Sequence, residues 1–375
     1  GISMHNRAQQ NIENLLQQAN IVINGSRPWD IQVFDQRFFS KVVAKGTLGL
    51  GEAYMDAWWD CPRVDEFIYR SLANRLKEKI RVGRQELWLF IRSCIINLQS
   101  STRAFMVGKT HYDINAILYE CMLDRRMTYT CGYWKNAIDL EQAQRDKLDL
   151  VCRKIDLQPG DRVLDIGCGW GSFAQYAAQN YGANVVGITI SQQQVELARQ
   201  RCAGLPVEIR LQDYRDLDET FDHIVSLGMF EHVGHKNYRT FMAIARACLR
   251  DSGLFLLHTI GSNDSAIASD PWIEKYIFPN GLLPSIAQIG NALENNFVIE
   301  DWHNFGADYD RTLMAWHGNF SAHWSDLQNY FDERFYRMWS YYLLACAGSF
   351  RARQTQLWQI VLSKHGIPGG YNSIR

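Results

Sequence analysis

Arg162-Val163-Leu164-Asp165-Ile166-Gly167-Cys168-Gly169-Trp170-Gly171 decides the fold. Arg162 to Ile166 has the composition of a buried strand. The three alternating glycines behind it permit a sharp turn into the helix expected from Ser172 to Asn180. Such a loop lets a ligand approach backbone N–H groups closely, and by itself GxG also suits dinucleotides. Two residues argue against a dinucleotide. Ser172 stands where that fingerprint wants a third Gly or Ala. Asp165 would set a carboxylate beside a pyrophosphate, a like-charge contact. S-adenosylmethionine has no phosphate and carries an ammonium and a sulfonium that an acid favours, so Asp165, Gly167 and Gly169 are read as its binding residues.

Downstream, short apolar strands alternate with amphipathic helices, the pattern of a doubly wound sheet. Strands are expected at Val185 to Ile188, Val207 to Leu211, His223 to Leu227 and Leu254 to Thr259. Helices are expected at Ser191 to Arg201 and Asn237 to Leu249. Phe297 to Trp302 and Leu357 to Leu362 read as a final antiparallel pair, separated by a long aromatic-rich insertion. Upstream, residues 10–72 carry helical patterning, with Gly46-Thr47-Leu48-Gly49-Leu50-Gly51 read as a turn. The expectation is an α/β chain. A small, mainly helical N-terminal domain (1–100) precedes a Rossmann-like, S-adenosylmethionine-dependent methyltransferase domain (101–375).

The chain has 375 residues, 47% hydrophobic and 21% charged, with net charge -1, as an ordinary globular protein would. Nothing global attracts a polyanion, so no nucleic-acid partner is expected. Nine scattered cysteines without a CxxC pair read as reduced thiols, neither a disulfide framework nor a zinc site. No stretch approaches the ~20 apolar residues that span a bilayer, and Met4-His5-Asn6 opens no signal sequence. A cytoplasmic protein is expected. One local exception is residues 73–109, where eight basic residues face only Glu78 and Glu86, a local +6. Leu87-Trp88-Leu89-Phe90-Ile91 sits among them, which suggests either a membrane-surface contact or a basic helix packed on the protein or a dimer partner.

At the second strand's end, where many methyltransferases carry a ribose-binding acid, Gly187-Ile188-Thr189-Ile190-Ser191-Gln192-Gln193-Gln194 has none. Thr189 and Gln194 are the neutral candidates for the ribose. After the third strand, Gln212-Asp213-Tyr214 should lie by the adenine, with Asp213 on its exocyclic amine. Asp213 also fits an ordinary surface loop.

Five segments together resemble the bacterial cyclopropane fatty acid synthases. They are Val163–Gly171, Gly228-Met229-Phe230-Glu231-His232-Val233-Gly234, Leu257-His258-Thr259-Ile260-Gly261, Tyr129-Thr130-Cys131-Gly132-Tyr133-Trp134 and Gly306-Ala307-Asp308-Tyr309. The resemblance runs from about residue 20 to the C-terminus. Mycolic acid enzymes resemble mainly the part from about residue 105. It implies a small helical domain joined to an S-adenosylmethionine-binding catalytic domain, commonly as a homodimer at the inner face of the membrane. The implied reaction transfers a methyl cation to a cis double bond of a membrane phospholipid's acyl chain, and loss of a proton closes a cyclopropane ring. The resemblance further implies bicarbonate as the base, in a pocket of Cys131, Glu231, His258, Tyr309 and the Ile260 backbone. Tyr129 and Thr130 would touch the cofactor. Thr130 stands where serine is common, keeping the hydroxyl.

Each side chain suits its part. Tyr309 and His258 can donate to an anion, and Glu231 can accept its OH and orient His258. An uncharged Cys131 thiol is a weak donor. Without the resemblance, Glu231 or His258 would itself be nominated as base. His258 also fits a satisfied core histidine, and Glu231 a helix-opening acid. Aromatic residues are 13% of the chain, and Tyr133, Trp134, Phe230, Phe305, Tyr309 and Trp316 lie near the motifs. Some can steady a cation, but most suit core or acyl-tunnel wall. Two rivals stay open: a methyltransferase acting without ring closure, and a lipid-binding protein with a relic cofactor domain.

Overall fold

The computed structural model describes residues 4–79, 110–266 and 268–375. The expected domain boundary at 100/101 and most of the basic segment 73–109 lie outside the described residues. Two compact units emerge: 1–122 with 268–280 and 313–354, and 123–267 with 281–312 and 355–375.

The second unit holds a seven-stranded sheet. Its strands are β1 (Arg162–Ile166), β2 (Asn184–Thr189), β3 (Val207–Leu211), β4 (Phe221–Leu227), β5 (Leu249–Ser262), β6 (Val298–Asn304) and β7 (Thr355–Ser363). Their order is β3-β2-β1-β4-β5-β7-β6. The first five are parallel, and β7 runs antiparallel between β5 and β6. Strand order reverses at β1, so a crevice opens beyond the carboxyl ends of β1 and β4.

Successive residues of a strand face opposite sides, and both sides are covered here. Val163, Val185, Val225 and Leu256 pack under Leu148 and Val151 of the helix Leu140–Lys154 and Phe173 of the helix Ser172–Tyr181. Leu164, Val186, Ile224 and Phe255 pack under Phe241 and Met242 of Tyr238–Cys248 and Ile289 of Ile286–Leu293. Coverage on both sides explains why these strands read as apolar runs without polar alternation. Asp165, buried in β1, breaks that rule.

The first unit is helical and aromatic. Helices Arg37–Met55, Val64–Ala73 and Glu333–Arg351 pack together, and Tyr341 contacts the rings of Tyr54, Trp59 and Trp272. Arg351 joins Asp65 and Glu66, each at 2.9 Å. Two expectations change here. The expected turn at 46–51 is confined to Gly46 (φ 56°, ψ -129°), where the chain breaks between two helical segments of Arg37–Met55, and residues 47–51 belong to the second of them. That segment leaves Gly51 against the Trp272 indole, 2.4 Å from where a Cβ would sit. Residues 268–280 and 313–354, expected within the catalytic domain, group instead with the N-terminal helices. Their apolar faces supply the second half of that small core, which the N-terminal helices alone would leave open to water.

Candidate active site

The glycine loop leaves β1 with left-handed φ at Gly167 (78°), Gly169 (56°) and Gly171 (87°), values that disfavour any residue with a Cβ. The Gly167 and Cys168 amides both donate to the Ile188 carbonyl, at 2.9 and 3.0 Å, tying the loop to β2. A Cβ at Gly167 would strike Met229, whereas one at Gly169 would meet nothing within 4 Å. Gly169 therefore faces open space. Asp165 is buried, and its Oδ1 has no protein partner. Burial pushes its carboxyl up to about 7. An uncompensated buried acid is costly, and a cationic ligand removes that cost. The residues fit the ammonium and sulfonium of S-adenosylmethionine.

Beyond β2, the Thr189 hydroxyl donates to Gln194 Oε1 at 2.7 Å and accepts from the Ser191 amide at 3.2 Å. The structure thus brings the two expected ribose residues into direct contact. Gln212 lies beside them, its amide donating to the Thr189 carbonyl at 3.0 Å and its side chain to the Asp216 carbonyl at 3.2 Å. Asp213 accepts three bonds from Arg215, at 2.8–3.1 Å, and the Arg215 guanidinium holds its carboxyl below the usual range. Most of its lone pairs are thereby committed. Tyr214 is a core residue, its ring 5.1 Å from Phe241.

On the other side of the crevice, Tyr129 and Thr130 are half-buried and Cys131 is fully buried. The Thr130 methyl sits against the turn at Gly228, 2.6 Å from where a Cβ would be. Gly228 in turn donates its amide to the His258 carbonyl at 2.9 Å. Gly132 donates to Thr312 Oγ1 at 3.0 Å, and Trp134 to Asp308 Oδ2 at 2.8 Å. These bonds draw the Cys131 segment to the helix turn that carries the buried Tyr309. Burial pushes the Cys131 thiol well above its ordinary pKa, so it stays protonated.

Glu231 is buried in a short 3-10 turn after β4. Its carboxylate accepts from Thr259 Oγ1 at 3.0 Å and from the Ile260 amide at 3.3 Å. Burial raises its pKa. Two expectations change accordingly. The partner of the His258 ring is Gln359, 3.1 Å from Nδ1, not Glu231. The Ile260 amide is engaged by Glu231, and the Ile260 carbonyl lies 2.9 Å from Thr259 Oγ1, whose single proton it shares with Glu231. Glu231 follows β4 and the other two lie on β5, so the carboxylate reaches only the backbone just past His258. His258 itself is buried with Nε2 unpartnered. Desolvation, then the Lys147 and Lys154 charges, push its pKa well down, leaving a neutral imidazole.

Sequence reading missed Lys147, which donates to Thr130 Oγ1 at 2.6 Å and to the Cys131 carbonyl at 2.9 Å. It also missed Thr312, Lys154 and Gln359. A signal existed in the helix Leu140–Lys154. Gln144, Lys147, Val151 and Lys154 recur at 3–4 residue spacing on its buried stripe, and a lysine there needs a specific acceptor.

The mycolic acid cyclopropane synthetase family model matches residues 99–360. The cyclopropane-fatty-acyl-phospholipid synthase of Escherichia coli K12 is 53% identical over 361 residues, 96% of this chain and 94% of that protein. Cyclopropane mycolic acid synthase 2 of Mycobacterium leprae is 34% identical, covering 68% of this chain and 92% of its own. Among solved structures, mycolic acid cyclopropane synthase CmaA1 complexed with SAH and CTAB matches at a TM-score of 0.64 and 32% identity, over 68% of this chain and 96% of that one. The glycine loop, the buried Asp165, the Glu231 turn and the His258 strand all fall within the matched span, and the chain belongs to the mycolic acid cyclopropane synthetase family.

Proposed function

We infer that this chain is an S-adenosylmethionine-dependent enzyme that adds a methylene group to the cis double bond of unsaturated acyl chains in membrane phospholipids, forming a cyclopropane ring. The observation that carries this is the 53% identity over 96% of the chain to a synthase named for a phospholipid substrate. That match extends well beyond the span shared with the mycolic acid enzyme. S-adenosylmethionine supplies the methyl group as an electrophile. Asp165 pairs with its positive charge, and the Gly169 turn leaves room for it.

Ring closure needs a base that is not itself methylated, and bicarbonate is our reading for it. When bound, it supplies a weak oxyanion base among buried side chains. His258 Nε2, the Cys131 thiol and the Tyr309 hydroxyl are its donors, and Glu231 is the acceptor for its OH. The neutral state of His258 suits such a donor, whereas the protonated Cys131 thiol donates to the Gly132 carbonyl at 3.2 Å and would have to turn from it. The adenosine is assigned to Thr189, Gln194, Gln212 and the Tyr214 backbone, with Tyr129 and Thr130 on the methionine side. Incubation with S-adenosylmethionine and vesicles of a monounsaturated phospholipid is expected to add one CH2 per modified acyl chain by mass spectrometry. Unaltered lipid mass would contradict the assignment.

No helix among the described residues is long and apolar enough to cross a membrane. We place the working enzyme in the cytoplasm, as a homodimer peripheral to the inner leaflet, with residues 73–109 as the membrane contact. Their local +6 supports this, since each basic group near an anionic leaflet contributes up to about 1 kcal/mol. Replacing Arg81, Arg84 and Arg92 with Glu is expected to cut co-sedimentation with anionic vesicles, and salt should weaken the wild type's binding. Equal co-sedimentation of a folded triple variant would exclude this segment as the contact.

A further inference from the structure

Four buried residues form a file behind the candidate pocket: Lys154, His303, Gln359 and His258. The sheet itself sets their spacing. Gln359 of β7 is the register partner of His258 on β5 and of His303 on β6. Lys154 closes the file from the last turn of its helix. Its Nζ lies 2.8 Å from Gln359 Oε1 and 2.8 Å from His303 Nδ1. Gln359 Nε2 then lies 3.1 Å from His258 Nδ1.

These contacts determine where the His258 proton sits. Burial lowers the pKa of Lys154 to about 7, so below that pH it is an ammonium, with hydrogens to give and no lone pair to offer. Lys154 therefore takes the oxygen end of the Gln359 amide and turns its NH2 end toward His258. An NH2 facing Nδ1 requires Nδ1 to accept. In a neutral imidazole the proton then belongs on Nε2, the nitrogen with no protein partner. His258 presents one N–H donor to the pocket and keeps its lone pair turned away. That polarity suits an oxygen-bearing anion.

We propose that Lys154 and Gln359 are positioning residues that lock His258 in its Nε2–H tautomer, so that it donates to an oxyanion in the pocket and does not act as the base. The proposal rests on the reading of His258 as a pocket residue, but the tautomer can be measured without any turnover.

The experiment uses the full chain with 15N-labelled histidine rings, His258 being assigned from the resonances lost in His258→Gln. In the wild type, His258 is expected to show a bare Nδ1 and a protonated Nε2. Gln359→Glu keeps the size, pairs with Lys154, and offers only acceptors to Nδ1. It should move the proton to Nδ1 and lower kcat at least tenfold, with S-adenosylhomocysteine affinity within twofold. Lys154→Arg, which still donates, should retain more kcat than Lys154→Met. A wild-type proton on Nδ1 overturns the proposal. So does a folded Gln359→Glu whose tautomer or kcat is unchanged. If Gln359→Glu fails to fold, the wild-type spectrum still decides. If the tautomer is as stated while His258→Gln keeps full turnover, the pocket assignment fails and the tautomer assignment stands.

Discussion

Asp165→Asn is expected to make the ligand-free protein more stable at pH 8 and to abolish S-adenosylhomocysteine binding. Folding moves this carboxyl from its ordinary value near 3.8 up to about 7, through burial. Between those values the native state holds a proton that the unfolded chain has lost. Stability therefore falls as pH rises through that window, and the full penalty is present above pH 7. About three pKa units at 1.36 kcal/mol each set its scale at roughly 4 kcal/mol. Asparagine removes the charge and with it the penalty. Thermal unfolding of the two proteins should differ by several degrees at pH 8 and nearly coincide at pH 4. Ligand binding has the opposite sign. The ammonium of S-adenosylhomocysteine, which lacks the sulfonium, favours the carboxylate, so wild-type affinity should weaken about tenfold per pH unit below 7, with proton release on binding. Calorimetry in buffers of different ionisation heat reads that release. An Asp165→Asn variant binding as tightly as wild type would remove Asp165 from the cofactor site.

Glu231→Gln should produce the converse pattern, with turnover lost and cofactor binding spared. Glu231 is buried and accepts from Thr259 and Ile260. Glutamine keeps the acceptor for the Ile260 amide and turns its NH2 to the Thr259 hydroxyl, which can accept it while donating to the Ile260 carbonyl. What is lost is the charged acceptor offered to the bicarbonate OH. One lost hydrogen bond to a charged group costs about 1.5–3 kcal/mol, or ten- to a hundredfold in rate. S-adenosylhomocysteine affinity should stay within about twofold, and excess bicarbonate should restore part of the turnover. Parallel losses in turnover and cofactor affinity would assign Glu231 to the cofactor instead.

These two residues were legible in the sequence because strand periodicity places both at the carboxyl edge of one sheet. Asp165 interrupts an apolar strand, and Glu231 follows one directly. Less legible were groups whose meaning depends on register. Gln359 is separated from His258 by 101 positions in sequence, and only the antiparallel insertion of β7 sets them side by side. Asp213 looked available for adenine, but Arg215, two residues on, engages both its oxygens. Of the glycines from 46 to 51 read as a turn by composition, Gly46 does break the helix, whereas Gly49 and Gly51 lie in the helical segment that follows it. Propensity is the weaker force where an aromatic core can be closed. Lys147 carried a signal that was readable and overlooked, a lysine on the buried stripe of an amphipathic helix.

Ring closure is the central claim, and added mass alone does not establish it, because exchanging hydrogen for methyl also adds CH2. The most direct measurement is the proton NMR spectrum of phospholipid recovered after incubation with this chain and methyl-13C S-adenosylmethionine. The account predicts high-field cyclopropane methylene protons coupled to the label, with loss of olefinic signal in proportion. A labelled methyl doublet or an exocyclic methylene, with no high-field signal, would contradict it.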